Sequence, residues 1–366
     1  MKNKEELLYD ICDSSLLQVI HEVEAAAATA EGNPLEALRQ IARAHLTATL
    51  ALQKQFLVSM YDYRSLSAER TLQINIFWQR YEKFVSSIFD SAVAKGMIRA
   101  DVLNKYHYHL LMSMTNWSVL WFHPEGELSI EQLAQIFSQI YLEGASGKGY
   151  RSSIRTGSVD AINVLPVADP ICVGKNDTHA RLLDTASKLF ASHGYSTTSI
   201  REIADAMGIE KASLYYYIVG KEDLCYQISK AAHEHLIGGV RAAVDQASGA
   251  EGRLNALIVA HVACLLQNQH WHATANEQID ALDAKRRAVI VGLRDDYEML
   301  VRQVITDAQN VGLLRIDISA KYLGFALLGM ITHIYPWYEP GIDIPPMGLG
   351  LLLAGVFVNG MAVSHA

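Results

Sequence analysis

Residues Ser196–Lys221 read STTSIREIADAMGIEKASLYYYIVGK, and the fold follows from how this stretch must coil. Ser199 and Glu202 stand three apart before an apolar run. At that spacing each side chain satisfies the other's free backbone N–H at a helix start. Ile200, Ile203, Ala204 and Met207 then recur at i, i+3, i+4 and i+7, one apolar face of a short helix. Gly208 tolerates the backbone turn that ends it, and Ile209 is placed to plug that turn into a core. A second helix is predicted from Lys211, with Leu214 and Ile218 inward and Ser213, Tyr215 and Tyr216 outward.

Two short helices around a tight turn, with consecutive tyrosines on the outer face, describe a helix-turn-helix lying against DNA. Upstream, Ala180–Tyr195 (ARLLDTASKLFASHGY) supplies a preceding helix. With S-I-x-x-I-A, L-Y-Y-Y and G-K-E-D-L at their spacing here, the region resembles the DNA-binding domain of the TetR family of one-component bacterial regulators. The resemblance implies operator DNA as partner and maps contacts onto this chain. Thr198, Ser199 and Arg201 would reach phosphates, and Lys211, Ala212 and Ser213 would meet base edges. Tyr215 and Tyr216 would touch backbone or thymine methyls, and Lys221 would sit on a phosphate. Glu210 occupies the cap position where Ser is commoner in the family.

Working outward, the chain repeats itself. Gly96 in KGMIR matches Gly312 in VGLLR, a step of 312 − 96 = 216. His45 and His261, Tyr81 and Tyr297, Trp121 and Trp337, and Gly144 and Gly360 keep that step; Lys4-Glu5-Glu6-Leu7 matches Lys221-Glu222-Asp223-Leu224 at 221 − 4 = 217. A constant offset over so many residues is a duplicated domain. The predicted class is all-α: a TetR-like helix-turn-helix domain plus two homologous helical-bundle lobes. Residues 1–145 form the first lobe, 146–176 a linker, 177–236 the helix-turn-helix domain and 237–366 the second lobe. Helices in the first lobe are predicted over Lys4–Ala28, Pro34–Met60, Ala68–Lys95, Val102–Phe122 and Ile130–Gly144. The linker's Lys148, Arg151 and Arg155 read as part of a solvated tether.

A net charge of −8 excludes a chain that coats nucleic acid indiscriminately, so affinity must rest on a few placed contacts and on pairing. Cys12, Cys172, Cys225 and Cys264 lack C-x-x-C spacing, and His233-x-His235 and His107-x-His109 are poorly spaced metal pairs. No nucleophile elbow or phosphate loop is present, so an enzyme is not expected. The start MKNKEELLYD has no apolar run, and Met347–Val363 reads as a buried interface helix; a cytoplasmic protein without membrane insertion is predicted.

His261, Trp271, Tyr297, His333, Trp337 and Tyr338 are candidates to line a ligand pocket in the second lobe. The W-[FY]-x-P element at Trp121 and Trp337 is similar to one in a TetR subgroup that includes acyl-CoA-responsive regulators, which implies a small hydrophobic or acyl-CoA inducer and a repressor released by it. A second reading keeps the lobes as a pairing surface for another regulator, with a vestigial DNA-binding domain. By the same resemblance the lobes are expected to pair within the chain as a pseudo-dimer through Val102–Gly144 and Ala320–Gly360, with Gly348, Gly350, Ala354 and Gly355 allowing close approach. Met1 aligns with Ile218, so the first copy opens at the end of a recognition helix, and a start upstream of Met1 is the expectation. With a single helix-turn-helix, a homodimer would be needed to grip two half-sites.

Overall fold

The computed structural model describes residues 3–144 and 178–360; the predicted linker, with Lys148, Arg151, Arg155 and Cys172, lies outside the described residues. Six helices belong to the first copy. They are α1 Lys4–Ala28, α2 Pro34–Ala51, α3 Gln53–Tyr61, α4 Ala68–Ala94, α5 Asn104–Asn116 and α6 Ile130–Glu143. Then come α7 Thr178–His193, α8 Ile200–Met207 and α9 Lys211–Leu214. The second copy repeats the six as α10 Lys221–Gln246, α11 Gly249–Gln267, α12 Gln269–Glu277, α13 Ala284–Asn310, α14 Ala320–Thr332 and α15 Pro346–Asn359. No strand occurs among the described residues.

Hydrogen bonds fix the register of the two copies atom by atom. Gln53 Nε2 donates to the carbonyls of Val119 and Phe122, and Gln269 Nε2 to those of Tyr335 and Tyr338. Glu5 Oε1 accepts from the Ser67 N–H as Glu222 Oε1 accepts from that of Asp283. Arg99 grips Asp101 with both ends of its fork, and Arg315 grips Asp317 likewise. Each pairing keeps the offset read from sequence. The predicted Pro34–Met60 helix is broken at Leu52 (φ −106°, ψ 26°), where Gln53 turns inward. Asn268 (φ −127°, ψ 48°) breaks the second copy at the matching place. The domain boundary expected at residue 236 falls inside the continuous α10.

The chain packs as two compact units that do not follow the repeat. One draws on Met1–Ser158 with Ile305–Ile334 and Leu351–Ala366, the other on Val159–Val304 with Tyr335–Gly350. In the first unit α14 lies along α5 with reciprocal contacts. Ser113 Oγ donates to the His333 carbonyl at 2.9 Å. The matching pair 216 residues on, Gly329 with Trp117, is equally close. A Cβ on Gly329 would stand 2.9 Å from the Met114 carbonyl oxygen and 3.1 Å from Trp117 Cβ. Gly144 and Gly360 meet so closely that a Cβ on either would strike the other's backbone. Trp121 stacks on Phe325 with centroids 4.1 Å apart, and Glu127 takes Lys321 and Tyr322. The close approach thus falls at Gly329, Gly144 and Gly360. Gly348 and Gly350, proposed for it from composition, instead abut Ile344 and Val259 of their own copy.

In the second unit one core joins α7, α8, α9, the start of α10 and α12. It holds Leu182, Phe190, Ile203, Met207, Leu214, Ile218 and Ile228 together with Trp271 and Ala275. α11 is long and apolar enough to cross a membrane, and 61% of that window is buried inside the protein, as a core helix requires.

Candidate nucleic-acid interface and lobe interior

The reading head is built by local chemistry. Ser199 Oγ accepts from the Glu202 N–H at 3.1 Å and the Glu202 carboxylate accepts from the Ser199 N–H, closing the predicted capping box on α8. Gly208 ends α8 at φ +69°, and the Ile209 N–H returns to the Ala204 carbonyl at 3.1 Å. The Ile209 side chain packs on the core, as its plug role demands. The recognition helix is one turn, Lys211–Leu214. It then tightens, with the N–H groups of Tyr217 and Ile218 both returning to the Leu214 carbonyl.

The outer face is sharply exposed. Tyr216 is 88% exposed and Tyr215 50%, beside exposed Lys211 and Ala212 and half-buried Ser213. Lys211 makes no ion pair among the described residues, which leaves an exposed cation at the start of the helix. Arg201 is exposed and only loosely paired with Asp205, at 3.9 Å. Ser199 is exposed beside it.

Two residues assigned to phosphates are spent inside the domain. Thr198 is 1% exposed, and its Oγ1 donates to the Gly194 carbonyl at 2.8 Å. Lys221 Nζ donates to the carbonyls of Tyr195, Thr198 and Ser196 at 2.8, 3.1 and 3.3 Å and lies over the Tyr195 ring. An ammonium has three donors, so all of Lys221's are used, and partial burial lowers its pKa. The same burial pushes the Tyr195 hydroxyl up to about 12. Lys221 therefore ties the loop before α8 to the start of α10.

The pocket candidates do not assemble as one set. Trp271 belongs to the helix-turn-helix core, the cluster that also holds Ile203 and Leu214. His333 falls in the other unit, where its carbonyl takes Ser113. Tyr338 is buried, and its carbonyl is held by Gln269; Trp337 is half-buried. His261 and Tyr297 do meet, Nδ1 to hydroxyl at 2.6 Å, reproducing His45 and Tyr81 at 2.8 Å in the first copy. Burial drives His261 down to about 3 and His45 to about 4. Neutral imidazoles accept from the tyrosines, and His45 Nε2–H then donates to Asn116 Oδ1 at 2.6 Å.

Reasoning from sequence passed over the rest of the second lobe's interior. His233 and His235, set aside as a poor metal pair, are both buried, as are His272 and Asn276. His233 Nδ1–H donates to the Ser229 carbonyl, so its Nε2 accepts from Arg294 Nε at 3.2 Å. Arg294 is further anchored on the Ala275 carbonyl at 2.8 Å. Comparing the copies position by position would have flagged these residues. Among the described residues, no group of three His, Cys, Asp or Glu side chains could hold a metal ion.

The family descriptions fall on the same landmarks. "Tetracyclin repressor-like, C-terminal domain" matches residues 31–145 and again 247–360, and "Bacterial regulatory proteins, tetR family" matches 182–227. The chain belongs to the TetR family. It is a DNA-binding transcriptional regulator whose C-terminal domain occurs twice. Among curated relatives of this TetR protein is the HTH-type transcriptional repressor KstR2 of Rhodococcus jostii (strain RHA1). It is 27% identical over 194 residues, covering 52% of this chain and 95% of that protein. KstR2 of Mycolicibacterium smegmatis is 30% identical, covering 50% and 90%. Among solved structures, the TetR regulator PfmR of Thermus thermophilus is 26% identical with a TM-score of 0.47, covering 49% of this chain and 98% of its own. KstR2 of Mycobacterium tuberculosis is 21% identical with a TM-score of 0.48, covering 52% and 97%.

Proposed function

We propose that this TetR-family chain is a repressor that holds its operator through α8 and α9 and is released by a small hydrophobic or acyl-CoA-type effector. The observation that carries the DNA face is the exposure of Tyr215 and Tyr216 beside Lys211, on a motif whose core is closed. Large aromatics held in water are a cost that an occupied groove removes. Arg201, Ser199, Lys211, Ala212, Ser213, Tyr215 and Tyr216 make the contacts, and Thr198 and Lys221 hold the motif in shape. A vestigial DNA-binding domain has no need of that exposed face. Repression is supported by the repressor names of the KstR2 relatives. The acyl-CoA class rests on the resemblance drawn from the tryptophan–proline element.

The two lobes act as an intrachain pseudo-dimer. The reciprocal contacts of Ser113 with His333 and Gly329 with Trp117 support this, because equivalent residues meet in exchanged roles only around a two-fold axis. Such a regulator works in the cytoplasm, where its operator is.

Footprinting on the DNA flanking its own gene, with and without acyl-CoA thioesters, tests the proposal. The parent should protect a discrete site and release it on effector addition. Tyr216→Ala should weaken binding at least tenfold with an unchanged melting temperature. Unchanged affinity in that variant would move the interface elsewhere on the protein.

A further inference from the structure

The two lobes are copies in outline and differ around one buried position. The hydrogen-bonded register equates Cys12, Leu16, Phe56 and Trp78 of the first with Ser229, His233, His272 and Arg294 of the second. In the first lobe Phe56 is fully buried, and its ring meets the edges of His45 at 5.9 Å and Trp78 at 6.2 Å. Carbon fills that space. In the second lobe the same positions carry hydrogen-bonding groups. His272 is 3% exposed, yet its Nε2 has no partner among the described residues. His233, His235 and His261 lie near enough to act electrostatically on His272.

Burying a polar atom without a partner is unfavourable, and the first lobe demonstrates with Leu16 and Phe56 that the fold accepts carbon where the second carries His233 and His272. Polar groups retained there make sense when a ligand completes them. We propose that the second lobe alone holds the effector, and that His272 and Arg294 read an acyl oxygen on it, a carboxylate or a thioester carbonyl. The proposal deepens the effector reading above and rests on it. His272 Nε2–H donates to that oxygen. Arg294, aimed through His233 Nε2 and the Ala275 carbonyl, supplies a fixed positive charge beside it. In the first lobe the position of His272 is filled by the Phe56 ring, which offers such an oxygen no donor.

The test uses the full chain and a panel of octanoyl-CoA, benzoyl-CoA and cholyl-CoA with the matching free acids. Equilibrium dialysis should find one molecule bound per chain for at least one probe. H272F and R294M should each lower its affinity at least tenfold, and H272Q should recover part of the loss. F56H, in the first lobe, should leave affinity within twofold. Circular dichroism keeps the variants honest, since H272F installs a residue the sister lobe already uses and should melt no lower than the parent. Binding of thioesters but not acids identifies the thioester carbonyl; the reverse identifies the carboxylate. Two molecules per chain, undiminished binding by H272F, or no binding of any probe would overturn the proposal. Operator binding by the unliganded parent, measured on the same samples, separates that outcome from failure of the regulator reading itself.

Discussion

Around Phe56 the first lobe closes its interior with carbon, and at the matching place the second lobe carries the nitrogens of His272 and Arg294. Phe56 closes one core by packing on His45 and Trp78; at the equivalent place His272 leaves a ring nitrogen buried without a partner among the described residues. The helices, their breaks and their inter-helix hydrogen bonds are shared. Duplication therefore preserved the scaffold while the interiors diverged. One copy fills this place with carbon, and the other with the hydrogen-bonding groups that we propose read the effector. A functional interior is commonly the less stable one.

Acid should separate the two most strongly. Burial holds His233 at about 4, His261 at about 3 and His272 well below its ordinary 6.5 in the second lobe; in the first it holds His45 and His107 at about 4. Below pH 6.5 the unfolded chain takes up protons that the folded one refuses. Stability is therefore full above 6.5 and lost as pH falls towards 4 and 3. At pH 5 each such histidine costs roughly 2 kcal/mol. Burial also lowers His270 in the second lobe, and with four lowered histidines against two that lobe should lose amide protection first when hydrogen exchange at pH 5 is compared with pH 7. Equal losses would break the comparison.

Exchanging the interiors sharpens it. Phe56→Ala should destabilise the chain by about 3–5 kcal/mol in chemical denaturation, because it removes the plug of a closed core. His272→Phe should leave stability unchanged or raise it by about 1 kcal/mol, since an unpartnered buried nitrogen is replaced by carbon. A large loss in the second variant would mean that His272 is held by its own lobe after all.

An intermediate effect concerns the helix-turn-helix that leads into the second copy. Lys221→Met should cost roughly 1–3 kcal/mol through the three carbonyls it leaves unpaired, lowering the melting temperature. The dependence of operator affinity on salt should keep its slope. A slope reduced by about one would place the ammonium on a phosphate.

Sequence alone determined what short-range rules can carry. The capping box at Ser199, the left-handed stop at Gly208, the plug at Ile209 and the offset between copies all follow from spacing, and the structure repeats each of them. Tertiary structure decided where side chains are spent. Lys221 and a surface lysine look alike in a sequence until three carbonyls from the preceding loop arrive beside one of them. Trp271 read as a pocket wall because its helix belongs to the lobe, yet its ring closes the helix-turn-helix core from which it stands far apart in sequence. Gly329, not Gly348 or Gly350, makes the close crossing, because helix rotation chooses the glycine that faces another backbone. Periodicity shows which face of a helix is apolar; only assembly brings the partner that gives a buried nitrogen, an ammonium or a missing Cβ its meaning.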